Sequence, residues 1–431
     1  MTLALILAVP VLLAVMAGLH WYVWRRLVRD TTTPHSRGRR WGTAAFLTGP
    51  AFMVTAFAGS FAGLPFGAVQ VLSWPAYLWV ALALYLLIGL LVGEAIRPVV
   101  NRWLRRRATR TATQRPAAEP VPAPGQATDL APPAASSAGV GETPTPGSRA
   151  PDAAPAELSR RRFTAQLIGT ATAVVAAGTV GYGTYGVLRG PKVKRVTVPL
   201  AKLPRSAHGF RIAVVSDVHL GPILGRSFSE RVVATVNATQ PDLIAVVGDL
   251  VDGSVGELRS AVQPLSNLTA RHGAFFVTGN HEYISGAEQW TEHVQELGMK
   301  LLANQRVELP AFDLAGVNDV TGESHDDGPD LAKALADRDP QRTSVLLAHQ
   351  PVFIDEAVKH GVDLQLSGHT HGGQLWPMNY IAELANPTVA GLERYEDTQL
   401  YVSRGAGAWG PPTRVGAPSD ITVIELASRQ A

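Results

Sequence analysis

The sequence predicts an α/β domain with helix-covered sheet layers in the C-terminal half of the chain, preceded by transmembrane α-helices. Two observations predict it. From Val196 onward, short continuous apolar runs of strand length alternate with longer amphipathic stretches. In the first hundred positions, apolar runs are long enough to cross a bilayer. Most acidic residues of the 431-residue chain follow Pro199, so the two parts are built for different solvents.

Residues 3–24 form an almost uninterrupted apolar run, which at ~1.5 Å per helical residue covers a ~30 Å hydrocarbon layer. Residues 41–63 and 74–96 are two further runs, edged by tryptophans that favour the headgroup level. Residues 1–110 are therefore expected to be a membrane region with three spans. Arg25, Arg26, Arg29, Arg37, Arg39 and Arg40 lie between the first two runs, and Arg97, Arg102 and Arg105 follow the third. The 64–73 connection carries no charge. The positive-inside rule then puts the N-terminus outside and the segment after Arg97 in the cytoplasm.

Residues 111–158 are dominated by Ala, Pro, Thr, Ser and Gly, with few large apolar groups to offset ordering entropy, and read as a disordered linker. Over 159–190 a fourth apolar run, 165–188, comes after Ser159, Arg160, Arg161, Arg162 and Phe163. An internal twin-arginine export signal and a plain basic flank to an ordinary span both fit. Either one exports the downstream chain, giving a multi-pass cell-membrane protein with an extracytoplasmic C-terminal domain. The export signal adds the twin-arginine export machinery as a partner.

In that domain, 195–428, residues 212–216, 243–247, 274–278, 344–348 and 364–366 have strand length and composition. Residues 228–239, 257–269, 288–297, 329–338 and 352–360 read as helices between them. Each strand runs directly into polar residues that suit a hard or borderline divalent ion. Asp217 and His219 follow the first, Asp249 the second, Asn280 and His281 the third, His349 the fourth, and His369 and His371 the fifth. Loops at the C-terminal ends of strands are where α/β sheets hold ligands. Singly, each would be a turn, a cap or a hydrogen-bonded core histidine; the recurrence after five strands points to metals.

Two cations ~3.5–4 Å apart need a shared ligand, which a carboxylate supplies well. Asp249 is the expected bridge, with Asp217, His219 and His371 completing one metal and Asn280, His349 and His369 the other. Ligation by N and O without sulfur suits Mn, Fe, Zn, Co or Ni. A water or hydroxide between two such ions attacks phosphorus at neutral pH, and His281 is the expected catalytic residue, offsetting charge or protonating the leaving oxygen.

The series Asp-x-His, Gly-Asp, Gly-Asn-His, His and Gly-His-x-His, over roughly 195–426, resembles the calcineurin-like metallophosphoesterase superfamily. The fuller strings around Asp217, His349 and His369, with the Arg404 to Arg414 tail, are similar to its bacterial membrane-anchored predicted phosphohydrolases. The resemblance implies a four-layer αββα sandwich preceded by the membrane helices, and it implies the same seven metal ligands. It also implies substrates such as phosphomonoesters, phosphodiesters or lipid-linked pyrophosphates of the UDP-diacylglucosamine kind. Two departures stand out: three extra apolar runs, and Asp420 where Glu would be usual.

Leu375, Trp376, Pro377, Met378, Tyr380 and Ile381, with Trp409, are apolar groups beside the metal loops, which fit a lid or lipid-facing wall and equally a packed loop over the core. They favour a phosphorylated small-molecule or lipid substrate at a membrane. The chain has no cysteine, which excludes disulfides and thiolate chemistry. The net charge of +3 is explained by topology, and no nucleic-acid-binding motif is visible. The rival classes are a catalytically silent metal-binding protein and a sensory membrane protein. The first would lack a ligand, and the second would need polar groups inside its spans, where only His20 and Glu94 qualify.

Overall fold

The computed structural model describes residues 3–113 and 153–430. Residues 114–152, most of the linker expected from the sequence, lie outside the described residues. Helix α1 (Leu3–Trp24) continues through a π-helical turn at Arg25–Arg29, and α2 (Arg37–Phe61), α3 (Phe66–Thr113) and α4 (Ala153–Leu188) come next. All four expected apolar runs are thus helical. Among the described residues, the stretches Phe66–Trp103 and Arg161–Leu188 are long and apolar enough to cross a membrane.

Among the described residues, one compact unit comprises 3–40, 87–113 and 153–172. Here Glu94 meets Arg26 at 3.2 Å and Arg97 at 3.3 Å, so this carboxylate near a span end is paired. Thr164 Oγ1 also donates to Asn101 Oδ1 at 3.2 Å, tying α4 to α3.

The second unit comprises residues 41–86 and 173–430 and carries two six-stranded sheets. The first runs β1 (Lys192–Leu200), β12 (Asp420–Ser428), β2 (Phe210–Val215), β3 (Leu243–Val247), β4 (Ala274–Val277), β5 (Met299–Leu301). The second runs β10 (Gly391–Tyr395), β11 (Thr398–Val402), β9 (Leu364–Ser367), β8 (Thr343–Leu347), β7 (Phe312–Gly316), β6 (Gln305–Glu308). The pairs β2–β3, β3–β4, β7–β8 and β8–β9 are parallel, so their C-terminal ends share one edge of each sheet.

Strand side chains alternate between faces, and the alternation sorts the core into layers. Ile212, Val214, Leu243 and Ala245 join Phe312, Leu314, Val345 and Leu364 in a core between the sheets. Ala213, Val215, Ile244 and Val246 face the other way, onto Phe228, Val232, Leu258 and Trp290. Those last four belong to α5 (Arg226–Ala238), α6 (Val255–Val262) and α8 (Ala287–Glu296). On the far side, Ala315, Leu346 and Val402 pack on Leu331 and Ile354 of α9 (Leu331–Ala334) and α10 (Ile354–Lys359). The result is the four-layer αββα sandwich.

The sequence runs marked five strands, and the structure adds seven. Most of those seven lie at sheet edges or pair with distant segments, as β1 does with β12. The expected helix over 257–269 ends at Val262 and continues as a 3-10 turn at Gln263–Asn267. Pro264 explains the change, because its ring removes the N–H an α-helix would use there. Likewise only Leu331–Ala334 of the 329–338 stretch is α-helical. Strand β1 begins at Lys192, just before the domain boundary expected at 195.

Candidate metal centre

All seven ligand candidates converge at the C-terminal edge of the two sheets. Five of them, Asp217, His219, Asp249, His369 and His371, have left-handed backbones with φ of 52°, 48°, 52°, 72° and 53°. Such backbones are uncommon outside glycine and are held only where surrounding structure over-determines them. Here they turn each chain sharply off its strand, so side chains from different loops aim at one point. Two glycines make room. A Cβ on Gly248 would lie 2.6 Å from His349 Nδ1, and one on Gly368 would collide with Ser216 Oγ.

The first group is Asp217, His219 and His371, whose ligand atoms all lie within 4.8 Å of one another. His219 Nε2 is 3.0 Å from His371 Nε2, and His371 Nε2 is 3.5 Å from Asp217 Oδ1. Ser216 Oγ donates to Asp217 Oδ2 at 2.6 Å and the His369 N–H to Oδ1 at 3.0 Å, fixing that carboxylate. The second group is Asp249, His349 and His369. Asn280 joins it, since its Oδ1 is 2.9 Å from His369 Nδ1. Asp249 Oδ2 lies between the groups, 3.2 Å from His349 Nε2 and 3.8 Å from His219 Nε2.

Three residues without a clear signal in the sequence, the half-buried Asp252 and the buried Glu282 and Arg414, hold this arrangement. Asp252 Oδ1 is 2.7 Å from His281 Nδ1 and 3.0 Å from His219 Nδ1. Its only sequence signal is its place three positions after Asp249. Glu282, next to His281, accepts from the N–H groups of Asp249 (2.9 Å), Leu250 (2.7 Å) and Gly279 (2.6 Å). It therefore ties the β3 loop to the start of α7 (Asn280–Ser285). Arg414 donates to the carbonyls of Gly407 (2.7 Å), His371 (3.0 Å) and Ala417 (3.1 Å), and to His371 Nδ1 (3.1 Å). Trp409 packs edge-on against His281, with ring centroids 5.3 Å apart.

The electrostatics result from burying this many charges together. Burial alone would lower His219, but Asp252, Asp249 and Asp217 outweigh it and hold the ring up at about 9. Burial, the His219 charge and Arg414 instead push His371 well below the usual range. Partial burial would raise Asp252, yet the facing His219 and His281 keep it at about 2. Burial and the Asp249 charge raise Glu282 to about 7. Burial lowers Arg414 to about 10, which leaves it charged at neutral pH.

These residues fit cations. His349 Nδ1 is 2.9 Å from the Val247 carbonyl and serves it as donor, which leaves Nε2, buried and without a hydrogen bond, facing Asp249 Oδ2 at 3.2 Å. Against the effect of burial, the facing carboxylates raise this ring's pKa well above the usual range, so a cation there would replace a proton. His219 likewise gives Nδ1 to Asp252, the carboxylate–histidine arrangement that orients a metal ligand. The two facing Nε2 atoms of His219 and His371 must share one proton, on the line a cation would take.

An αββα sandwich whose strand ends gather histidines and carboxylates into adjoining groups that could hold metal ions defines a class of metal-site protein. Residues 210–373 match the family described as calcineurin-like phosphoesterase. A zebrafish (Danio rerio) protein named as a transmembrane protein with metallophosphoesterase domain is 39% identical over 295 residues, 65% of this chain and 66% of the relative. A Helicobacter pylori (strain J99) metallophosphoesterase is 40% identical, over 57% of this chain and 66% of its own length. The Bacillus subtilis metallophosphoesterase YkuE is 30% identical, over 63% of this chain and 99% of the relative. The chain belongs to the calcineurin-like metallophosphoesterase family. It spans 66% of the length of the zebrafish and H. pylori relatives.

Proposed function

We propose that this protein is a membrane-anchored phosphohydrolase that cleaves phosphate ester, phosphodiester or pyrophosphate bonds with two divalent cations. The observation that carries the reading is Asp249 Oδ2 between two separate histidine groups, a single carboxylate placed to serve both cations. When bound, such a pair lowers the pKa of water towards neutrality and offsets charge on phosphoryl oxygens.

The chain's own part is positioning and proton handling. Asp217, His219 and His371 would hold one cation, Asn280, His349 and His369 the other, and Asp249 both. Asp252 Oδ1 faces His281 Nδ1 at 2.7 Å and orients the ring, leaving Nε2 to give a proton to the departing oxygen. Arg414 adds buried positive charge behind His371 and secures the loop that carries it.

The catalytic domain is read as extracytoplasmic on a multi-pass anchor. The arginines at residues 25–40 and after Ile96 support a cytoplasmic assignment for those ends. In α3, Tyr77 packs near Gly410 of the catalytic domain, so the other end of that helix meets the domain. Export by the twin-arginine machinery is part of the same reading. The apolar groups beside the site favour a lipid-linked substrate, of the UDP-diacylglucosamine pyrophosphate kind or another phospholipid. The test is hydrolysis by the full chain in nanodiscs with added Mn of a chromogenic phosphodiester, a pyrophosphate and a lipid-embedded phosphoester. Absence of hydrolysis of all three, at full metal occupancy, would sink the reading.

A further inference from the structure

The segment between the metal-ligand turn and β10 has a composition and a contact that the chemistry does not use. Residues 375–382 carry no charge, and they include the short helix α11 (Asn379–Ala382), none of whose residues is buried. Trp376 is 47% exposed, Tyr380 and Ile381 59% each, and Leu384 86%. Scattered exposed apolar side chains are ordinary; four within nine residues make a patch that needs a partner.

The structure supplies the identity of that partner. Tyr85 Oη donates to the Trp376 carbonyl at 2.9 Å. Tyr85 belongs to the apolar stretch Phe66–Trp103, and eleven residues separate it from Trp74, about three helical turns. A carbonyl bonded to the side of a membrane helix at that level lies below the headgroups, and so does the chain on either side of it. The same segment is fixed to the site. The Trp376 N–H donates to Val415 O at 2.9 Å, and the Gln374 side chain accepts from Trp409 N (3.0 Å) and donates to Trp409 O (2.9 Å). Depth in the bilayer is thereby passed to the rim of the metal centre, where Trp409 touches His281.

We propose that residues 376–384 are immersed in the lipid leaflet on the catalytic side, with Tyr380, Ile381 and Leu384 in hydrocarbon and the exposed Glu383 carboxylate turned to the headgroups. The metal centre then opens at headgroup level. The inference rests on the membrane placement proposed above but not on the hydrolytic chemistry, because its readout is probe depth.

The cysteine-free chain allows single labels at Leu384→Cys, at Leu91→Cys on the exposed side of α3, and at Asp337→Cys. Asp337 is exposed and precedes the N-terminal end of β8, the end away from the metal ligands. Each variant carries an environment-sensitive fluorophore in nanodiscs. The Leu384 probe is expected to be blue-shifted and quenched by spin-labelled lipid as at Leu91, several-fold more than at Asp337. Quenching of the Leu384 probe by aqueous iodide as strong as at Asp337 overturns the proposal. So does shielding from iodide without quenching by lipid, which would mean a protein partner. Failure of the Leu91 probe to meet lipid would overturn the membrane placement together with the inference. All three positions are exposed, so the labels do not disturb the core.

Discussion

Asp252 Oδ1 lies 2.7 Å from His281 Nδ1, and the same oxygen is 3.0 Å from His219 Nδ1. One half-buried carboxylate therefore sets the orientation of a candidate metal ligand and of the candidate proton donor together. Replacing it with asparagine keeps the shape and removes the charge.

For Asp252→Asn, activity is expected to fall about 10–100-fold, the usual cost of losing a partner behind a metal ligand. Elemental analysis at saturating Mn separates the two roles. If metal content holds while turnover falls, the loss sits on His281. Unchanged turnover would remove Asp252 from the mechanism.

Asp249→Asn removes the oxygen that faces both groups, so both cations are expected to weaken. Activity should drop by more than the ~100-fold upper range for a supporting residue. Treatment of the wild type with a chelator is expected to do the same, with Mn restoring it. Full activity in the variant at ordinary metal concentrations would refute the shared role.

Cation binding has a predictable pH dependence. The metal-free His219 ring stays protonated to about 9, above the ordinary 6.5, because carboxylates face it. Below that value an entering cation must displace a proton. Apparent Mn affinity should therefore rise ~tenfold per pH unit between about 6.5 and 9, then level off. In the metal-free protein the sign is opposite. The raised pKa contributes stability that is fully present below 6.5 and lost as pH climbs through 9. Calorimetric titration in buffers of different ionisation enthalpy counts the released proton, and zero release at pH 7 contradicts the assignment.

Arg414→Met tests the support behind His371. The buried guanidinium serves three carbonyls, and a carbonyl left without a donor costs about 1–3 kcal/mol. For a domain of this size each kcal/mol lowers Tm by about 2–4 °C. A thermal melt of the full chain that shows no shift would mean the carbonyls find other donors.

The linear chain was enough to name the seven candidate ligands, because each of those side chains stands within four residues of the end of an apolar strand and carries its own local signal. It was also enough for the helical nature of the four apolar runs and for the alternation that sorts Ile212 and Ala213 to opposite faces of β2. Which loops meet became visible only in three dimensions. Asp252 reads as an ordinary turn residue until parallel pairing of β2, β3 and β4 brings it beside His219 and His281. Arg414 lies 43 residues from the His371 that it supports, and Tyr85 lies 291 residues from Trp376. Roles of that kind depend on strand order and chain reversal, and a linear pattern records neither, since a hydrogen bond is fixed by distance in space.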